Sequence, residues 1–483
     1  MRLTLEGHDK RYLVETLALL FFPAAGFSEG REDGLSATVR YDEGAHRATA
    51  ELTAHGRSTR AEEAGRDGEE PSAVLARCFY RAGQELTGIT PPWGTLTGIR
   101  PAKKVAQLLE NGLSPSAVAE QLARDCYVAP DKTALCAEVL EGEAAALAKL
   151  DRRAVSLYIG IPFCPTRCSY CSFVSHSVEK EGRLIPDYLS ALQEDLSRTL
   201  EALAKLELTV QTVYVGGGTP TTLSAPQLRE LMGTLARHLP VDALLEYTVE
   251  AGRPDTITAD KLQAILEGGA RRISVNPQTT HDPTLELVGR GHTVAQFFEA
   301  YALAQQVGIP ELNVDLIAGL PGEGAEIFDR SMREVAALKP ANLTVHALSL
   351  KRAARMQYED MERSRSGSQE IVEMLSTARR ETAAGGYRPY YLYRQRNTLG
   401  NLENVGYAIP GTECLYNTYI MGEYQSIVAL GAGAVSKVVG LPRGKIERVF
   451  SHKHALEYIR DGEKMRQNQK TLISLLKSRY TKG

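Results

Sequence analysis

The sequence predicts an α/β protein, and three observations carry that reading. First, from residue 154 onward short β-branched runs alternate with longer helical patterns. The strand-like runs are 154–160, 210–215, 246–250, 272–276, 312–317 and 342–348. Helical spacing falls near 187–206, 225–238, 259–267, 294–307 and 325–337. Strand and helix in turn imply βαβ units and a parallel sheet. Six such units make a partial barrel or an open sheet, and in both ligands gather at the carboxyl ends of the strands. Second, 43% hydrophobic and 24% charged residues are ordinary for a globular chain, so a sizeable core is available. Third, the texture differs before and after this stretch. At about 150 residues per domain, 483 residues imply two to four folded units.

Residues 1–90 read as a small α+β domain. A helical stretch near 11–22 precedes two alternating runs, 35–41 and 46–53, and 62–70 is charged and reads as a loop. Helical spacing resumes over 71–87. Pro91-Pro92-Trp93-Gly94 is a break that holds the only tryptophan, and 91–150 reads as a helical connector. Within it, Ser114-Pro115 is a cap followed by a proline at the first helical position, and Pro130-Asp131 starts another helix. The α/β stretch then occupies 151–385. Residues 386–483 form a C-terminal region of different character: eight of the 21 tyrosines fall between Tyr387 and Tyr424, and the tail from Pro442 is basic and helical in pattern.

The charge balance, 56 − 59 = −3, supplies no bulk positive field to attract nucleic acid or an anionic membrane. The apolar run at 17–22 is far below the roughly 20 residues that span a bilayer, and the N-terminus shows no signal-peptide pattern. Seven cysteines form an odd set in a large chain. This argues for a reducing compartment, so the expected location is the cytoplasm.

Three of the seven cysteines lie within eight residues, in Cys164-Pro-Thr-Arg-Cys168-Ser-Tyr-Cys171, directly after the first strand of the α/β stretch. Three thiolates at these spacings can hold three irons of a four-iron cluster and leave the fourth without a protein ligand. That open iron can chelate a substrate or cofactor through an amine and a carboxylate. The alternative is a zinc site with His176 as fourth ligand. The other four cysteines read as small buried apolar residues. Gly216-Gly217-Gly218-Thr219-Pro220 ends the second strand. Its glycines let a ligand approach the backbone, while the missing Gly-Lys-Ser/Thr argues against a phosphate loop. Single polar residues stand at or near later strand ends: Glu250, Gln278, Arg290 and Asp315. Each alone reads as a cap or ion-pair partner, but together they suit a polar cofactor bearing hydroxyls, an amine and a carboxylate. His346, on the sixth strand, reads as a core histidine more readily than as a substrate contact.

The Cx3CxxC loop and the Gly-Gly-Gly-Thr-Pro turn resemble the radical S-adenosylmethionine (SAM) superfamily. Tyr-Ile-Gly-Ile-Pro-Phe-Cys, Arg-Ile-Ser-Val-Asn-Pro-Gln and Asp-Leu-Ile-Ala-Gly-Leu-Pro narrow the resemblance to the oxygen-independent coproporphyrinogen III dehydrogenase group, over about 154–440. The segments 93–101 and 400–407, with the extra N-terminal domain, resemble its HemZ branch. The resemblance implies a partial (β/α)6 radical SAM barrel holding one [4Fe–4S] cluster and one or two SAM molecules. By motif, Cys164, Cys168 and Cys171 would ligate the cluster, and Tyr158 and Tyr170 would flank SAM. Gly217, Gly218 and Thr219 would meet its methionine end, and Glu250 its polar groups. Gln278, Arg290 and Asp315 match further SAM-binding positions.

The implied activity is oxidative decarboxylation of coproporphyrinogen III propionates to vinyl groups, through a 5′-deoxyadenosyl radical, with a flavodoxin or ferredoxin-type electron donor. Lys351, Arg352, Arg355, Arg394 and Arg396 are cations that could pair with propionates, and the late tyrosines could give aromatic walls. In one respect the sequence departs from the HemN type, which carries a further cysteine two residues after the third. Here that residue is Phe173, as in HemW-type proteins, which resemble heme-binding chaperones. The alternatives are therefore a heme chaperone of that type, or a radical SAM methyltransferase acting on a tetrapyrrole.

Overall fold

In the computed structural model the described residues are 1–23, 25–27, 34–98, 100–173, 175–349, 368–395, 398, 401–440 and 445–480. Lys351, Arg352, Arg355 and Arg396 lie outside them.

The chain begins with four strands, β1 (Arg2–Glu6), β2 (Ser36–Asp42), β3 (Arg47–Ala54) and β4 (Arg57–Ala64), in the order β1-β2-β3-β4. Their alternate residues Val39, Leu52 and Ala61 meet Val14 and Leu17 from helix Arg11–Phe21 and Leu75 and Phe79 from helix Pro71–Thr87. The predicted loop at 62–70 starts too early, because β4 runs to Ala64. Its alternation is broken by consecutive charges, which an exposed strand face tolerates. Helices Pro101–Glu110, Pro115–Cys126 and Pro130–Leu147 follow, each with proline in its first turn. Ser114 caps the second of these through the Ala117 amide.

The predicted α/β rhythm is present as β5 (Ala154–Ile161), β8 (Thr209–Gly217), β9 (Glu246–Glu250), β10 (Arg272–Ser274), β11 (Glu311–Ala318) and β12 (Asn342–Ala347). Two two-residue strands, β6 (Phe163–Cys164) and β7 (His176–Ser177), lie between the first two. The six strands of this rhythm pair in parallel as neighbours in chain order. Five helices, Ile185–Lys205, Ala225–His238, Ala259–Glu267, Val294–Val307 and Ala325–Ala337, connect them. Seven of the eight residues of β5 are buried, as expected for a parallel strand covered on both faces. This is a partial (β/α)6 barrel, and the carboxyl ends of its strands share one rim.

Both edges of the barrel are extended by the C-terminal region. On one side β14 (Glu403–Ala408) runs antiparallel to β12 and pairs with β13 (Arg388–Arg394). On the other, β15 (Ile427–Leu430) runs parallel to β5 and continues into β16 (Val435–Val439) and β17 (Ile446–Phe450), completing an eleven-stranded sheet. The tail is thus a strand followed by helices Ala455–Arg460 and Gly462–Tyr480, where the sequence pattern predicts helix alone. Among the described residues, no helix is long and apolar enough to cross a membrane.

Candidate active site

A cavity of about 360 Å³ opens at the carboxyl-end rim, and it has two walls of different origin. The first is the cysteine loop with the ends of β8 to β11. Cys164, Cys168 and Cys171 all line it, together with Gly217, Gly218, Thr219, Tyr170, Glu250, Gln278, Arg290 and Asp315. Eleven of the twelve residues singled out by sequence therefore meet in one chamber. The exception is Tyr158, whose ring lies behind the wall, stacked on Tyr214 and Tyr416 at 6.3 and 6.2 Å. Tyr158 and Tyr214 are register partners on β5 and β8, and Tyr214 is the one that reaches the cavity.

The glycine turn works by close approach. A Cβ on Gly218 would lie 2.6 Å from the Phe163 carbonyl oxygen and 3.0 Å from Cys164 Sγ. Gly217 adopts φ +114°, a conformation open to glycine. Thr219 Oγ1 then donates to Cys164 Sγ at 3.5 Å. Arg290 spans the loop. Its guanidinium donates to Tyr170 Oη at 3.1 Å and to the Gly252 and Asn276 carbonyls at 2.6 Å each, and Nη1 stands 3.9 Å from Cys168 Sγ. Gln278 is a buried non-glycine residue at φ +70°, held by its amide donating to Asp315 O and its carbonyl accepting from Ile317. Backbone strain of this kind collects at ligand sites.

Two carboxylates carry the polar character of the first wall. Burial pushes Glu250 up to about 7, against the effect of the Tyr214 hydroxyl, which donates to Oε1 at 2.6 Å. Burial would also raise Asp315, but contact with His346 and hydrogen bonds from its neighbours outweigh it and hold the acid below its usual range. Asn276 and Asn313 each donate to Asp315 at 2.8 Å. Burial raises the Cys164 and Cys171 thiols.

The second wall comes from β12 and the C-terminal extension: Thr344, His346, Tyr391, Tyr393, Asn404, Asn417 and Met421. Of these, the sequence offers the two tyrosines as aromatic surface and His346 as the less favoured substrate contact; the other four carry no signal. His346 faces the cavity, 26% exposed, where the sequence favoured a core position. Arg394 points the other way. It is buried, its guanidinium stacks over Trp93 at 5.4 Å and it donates to the Leu96 carbonyl, so it is no propionate partner. Trp93 Nε1 and Lys132 Nζ donate to the two oxygens of Glu403 at 2.7 and 2.6 Å. This buried knot fixes the strand that carries Asn404, whose Oδ1 accepts from Ala347 and whose Nδ2 donates to the Tyr393 carbonyl. The expected late tyrosines do supply aromatic surface here, but only Tyr391 and Tyr393 do so at the cavity. Tyr387, Tyr390 and Tyr407 are buried elsewhere.

Comparison with known proteins agrees with this geometry. Residues 158–335 match the radical SAM superfamily. The oxygen-independent coproporphyrinogen-III oxidase-like protein HemZ of Bacillus subtilis (strain 168) is 42% identical over 378 residues, 78% of this chain and 75% of that protein. The chain belongs to the radical SAM superfamily, in the HemZ-type coproporphyrinogen III oxidase-like family. The heme chaperone HemW of Bacillus subtilis (strain 168) is 35% identical over 194 residues, 40% of this chain and 50% of that protein. A solved structure described as coproporphyrinogen III oxidase (HemN) from Escherichia coli, a radical SAM enzyme, shares the fold. Its TM-score is 0.52 at 22% identity, over 66% of this chain and 71% of that one.

Membership implies a [4Fe–4S] cluster and SAM, and the residues present fit them. Among the described residues the cavity presents three cysteine thiols, beside a glycine cradle that added Cβ atoms would fill. The zinc alternative fits poorly. His176 is absent from the cavity; its Nδ1 faces Glu181 and its Nε2 accepts from the Ala455 amide at 3.1 Å. Among the described residues no three His, Cys, Asp or Glu side chains close around a point suited to one ion. A cube spreads its sulfur ligands over separate irons and needs no such point. Of the four isolated cysteines, Cys78, Cys136 and Cys414 are buried and Cys126 is half-buried. Cys414 also donates to Glu246 at 3.2 Å.

Proposed function

We propose that this protein is an oxygen-independent coproporphyrinogen III dehydrogenase. In this reading it removes two propionate carboxyl groups in turn and leaves vinyl groups, giving protoporphyrinogen IX. The observation that carries it is the single chamber shared by the triple-cysteine wall and the tyrosine wall. A radical formed at one wall and a flat, carboxylate-bearing ring held at the other would meet without crossing solvent. When bound, the cluster and SAM would supply a 5′-deoxyadenosyl radical that takes a hydrogen atom from a propionate side chain, after which carbon dioxide would leave and an electron acceptor would take the remaining electron.

The chain's own residues have distinct tasks in this scheme. Cys164, Cys168 and Cys171 hold the cluster and leave one iron open. Gly217, Gly218 and Thr219 accept the methionine end of SAM, and Glu250, Gln278, Arg290 and Asp315 its other polar groups. Tyr170 braces the loop through Arg290. Tyr391 and Tyr393 offer ring faces to the tetrapyrrole. Residues 151–385 carry the radical chemistry, 386–483 cover the substrate, and 1–90 with the connector 91–150 support that cover. The reading includes a cytoplasmic location and a flavodoxin or ferredoxin-type electron donor.

Phe173 favours one further reading. It stands where HemN-type proteins carry a cysteine, and it is 67% exposed at the lip of the cavity. A heme chaperone of the HemW type would share the first wall and retain heme without turnover. Anaerobic incubation of the reconstituted protein with coproporphyrinogen III, SAM and reductant separates the readings. Divinyl product with 5′-deoxyadenosine supports the dehydrogenase. Heme retained without turnover supports the chaperone, and methylated or linear tetrapyrroles support a methyltransferase.

A further inference from the structure

The cavity's two walls differ in charge. On the cysteine side stand Arg167, Arg253 and Arg290. Arg253 is held by both oxygens of Asp255, at 2.8 and 2.9 Å, and Arg290 by two backbone carbonyls and Tyr170. On the tyrosine side, among the described residues that line the cavity, His346 is the one group able to carry a positive charge.

Its ring is placed but not saturated. Nε2 is 3.8 Å from Asp315 Oδ2 and Nδ1 is 3.4 Å from Tyr393 Oη, both longer than a full hydrogen bond. The imidazole helps hold Asp315 below its usual range, yet each Asp315 oxygen also accepts an amide N–H at 2.8 Å. Tyr393 Oη accepts from Gln395 Nε2 at 3.3 Å, and its own proton is shared between the long contact to His346 Nδ1 and the chamber. A histidine N–H and a tyrosine O–H thus stand side by side at one spot on the wall.

We infer that His346 and Tyr393 form a two-donor seat for one carboxylate of the substrate, with His346 as a specificity residue. The inference rests on the dehydrogenase reading for the substrate class, a tetrapyrrole with propionate arms. A carboxylate has two oxygens, and donors on adjacent side chains can engage both, which a carboxamide or an ester cannot match in strength.

The test is binding, not turnover. The reconstituted full chain is titrated with coproporphyrin III, the stable oxidised ring, and separately with its tetramethyl ester, following porphyrin fluorescence. His346→Ala should weaken coproporphyrin III by about tenfold or more, the size of one charged hydrogen bond, and leave ester binding unchanged. Tyr393→Phe should weaken the acid in the same selective way and preserves ring volume, so it carries the test if the alanine variant does not fold. Equal weakening of acid and ester, or wild-type affinity for the acid in both variants, overturns the seat while leaving the dehydrogenase reading intact. Failure of the wild-type chain to bind either porphyrin overturns both.

Discussion

The two walls of the cavity are made in opposite ways. The cysteine wall is assembled from strand ends and the loops that follow them, each within one short motif of the chain. The tyrosine wall is assembled at long range: Glu403 on β14, next to Asn404, is held by Trp93 and Lys132, some three hundred positions earlier. The contrast teaches where each wall is vulnerable. Damage to the first should abolish chemistry and spare the fold. Damage to the second should cost stability and substrate affinity and spare the metal site.

The largest expected effect tests the first half of that statement. Cys168→Ala should reduce SAM cleavage to background, read as 5′-deoxyadenosine after anaerobic reconstitution, with near-normal thermal unfolding of the apo chain. Gly218→Ala should act similarly, because the added methyl group meets the Phe163 backbone and Cys164 Sγ. Stoichiometric zinc on the wild-type cysteines would break the comparison outright.

On the other wall, Glu403→Ala strips the Trp93 N–H of its acceptor and the buried Lys132 ammonium of its nearest carboxylate, leaving it only Asp131 at 3.7 Å among the ion pairs of the described residues. Breaking a buried pair in this way costs about 3–5 kcal/mol, readable as a lowered urea midpoint. Iron and sulfide content per chain should not change. Loss of iron in step with stability would show that the walls are not independent.

A smaller effect is expected from the buried acids behind each wall. Glu323, beside Thr279 and the Gln278 loop, and Glu143, hydrogen-bonded to Tyr424, are both pushed up to about 7 by burial. An acid raised above its unfolded value of 4.5 stabilises the fold fully below that pH, and the contribution disappears as pH rises through about 7. Apo protein should therefore lose stability between pH 4.5 and 7. Glu323→Gln should flatten that loss by on the order of 3 kcal/mol, measured as urea midpoints at pH 5 and pH 8. The smallest effect is a control away from both walls: Ser114→Ala removes a helix cap for about 1 kcal/mol and should leave SAM cleavage and porphyrin binding untouched.

Legibility in the sequence follows the same division. The six parallel strands and their helices were readable because hydrophobic rhythm is local, and so was the cysteine wall, whose chemistry sits in contiguous motifs. Tyr158 keeps its motif position, but its ring stacks on that of its register partner Tyr214, which lines the cavity, and no local pattern tells which of two neighbouring rings stands in front. His346 and Arg394 were misread for a related reason. Whether a polar side chain on a strand meets ligand or core depends on what packs across it, here β14 and the Trp93 segment. Asn276 and Asn313, which orient Asp315, left no signal beyond standing at strand ends near an acid.

The placement of β15 beside β5 has a consequence for how the protein comes into being. β5 leads directly into the cysteine loop, yet its second neighbour begins only at Ile427. A nascent chain therefore carries an apolar strand with one unpaired edge until the segment from Ile427 has left the ribosome, and such edges invite association with other chains. Interrupted synthesis before Ile427 should yield aggregates.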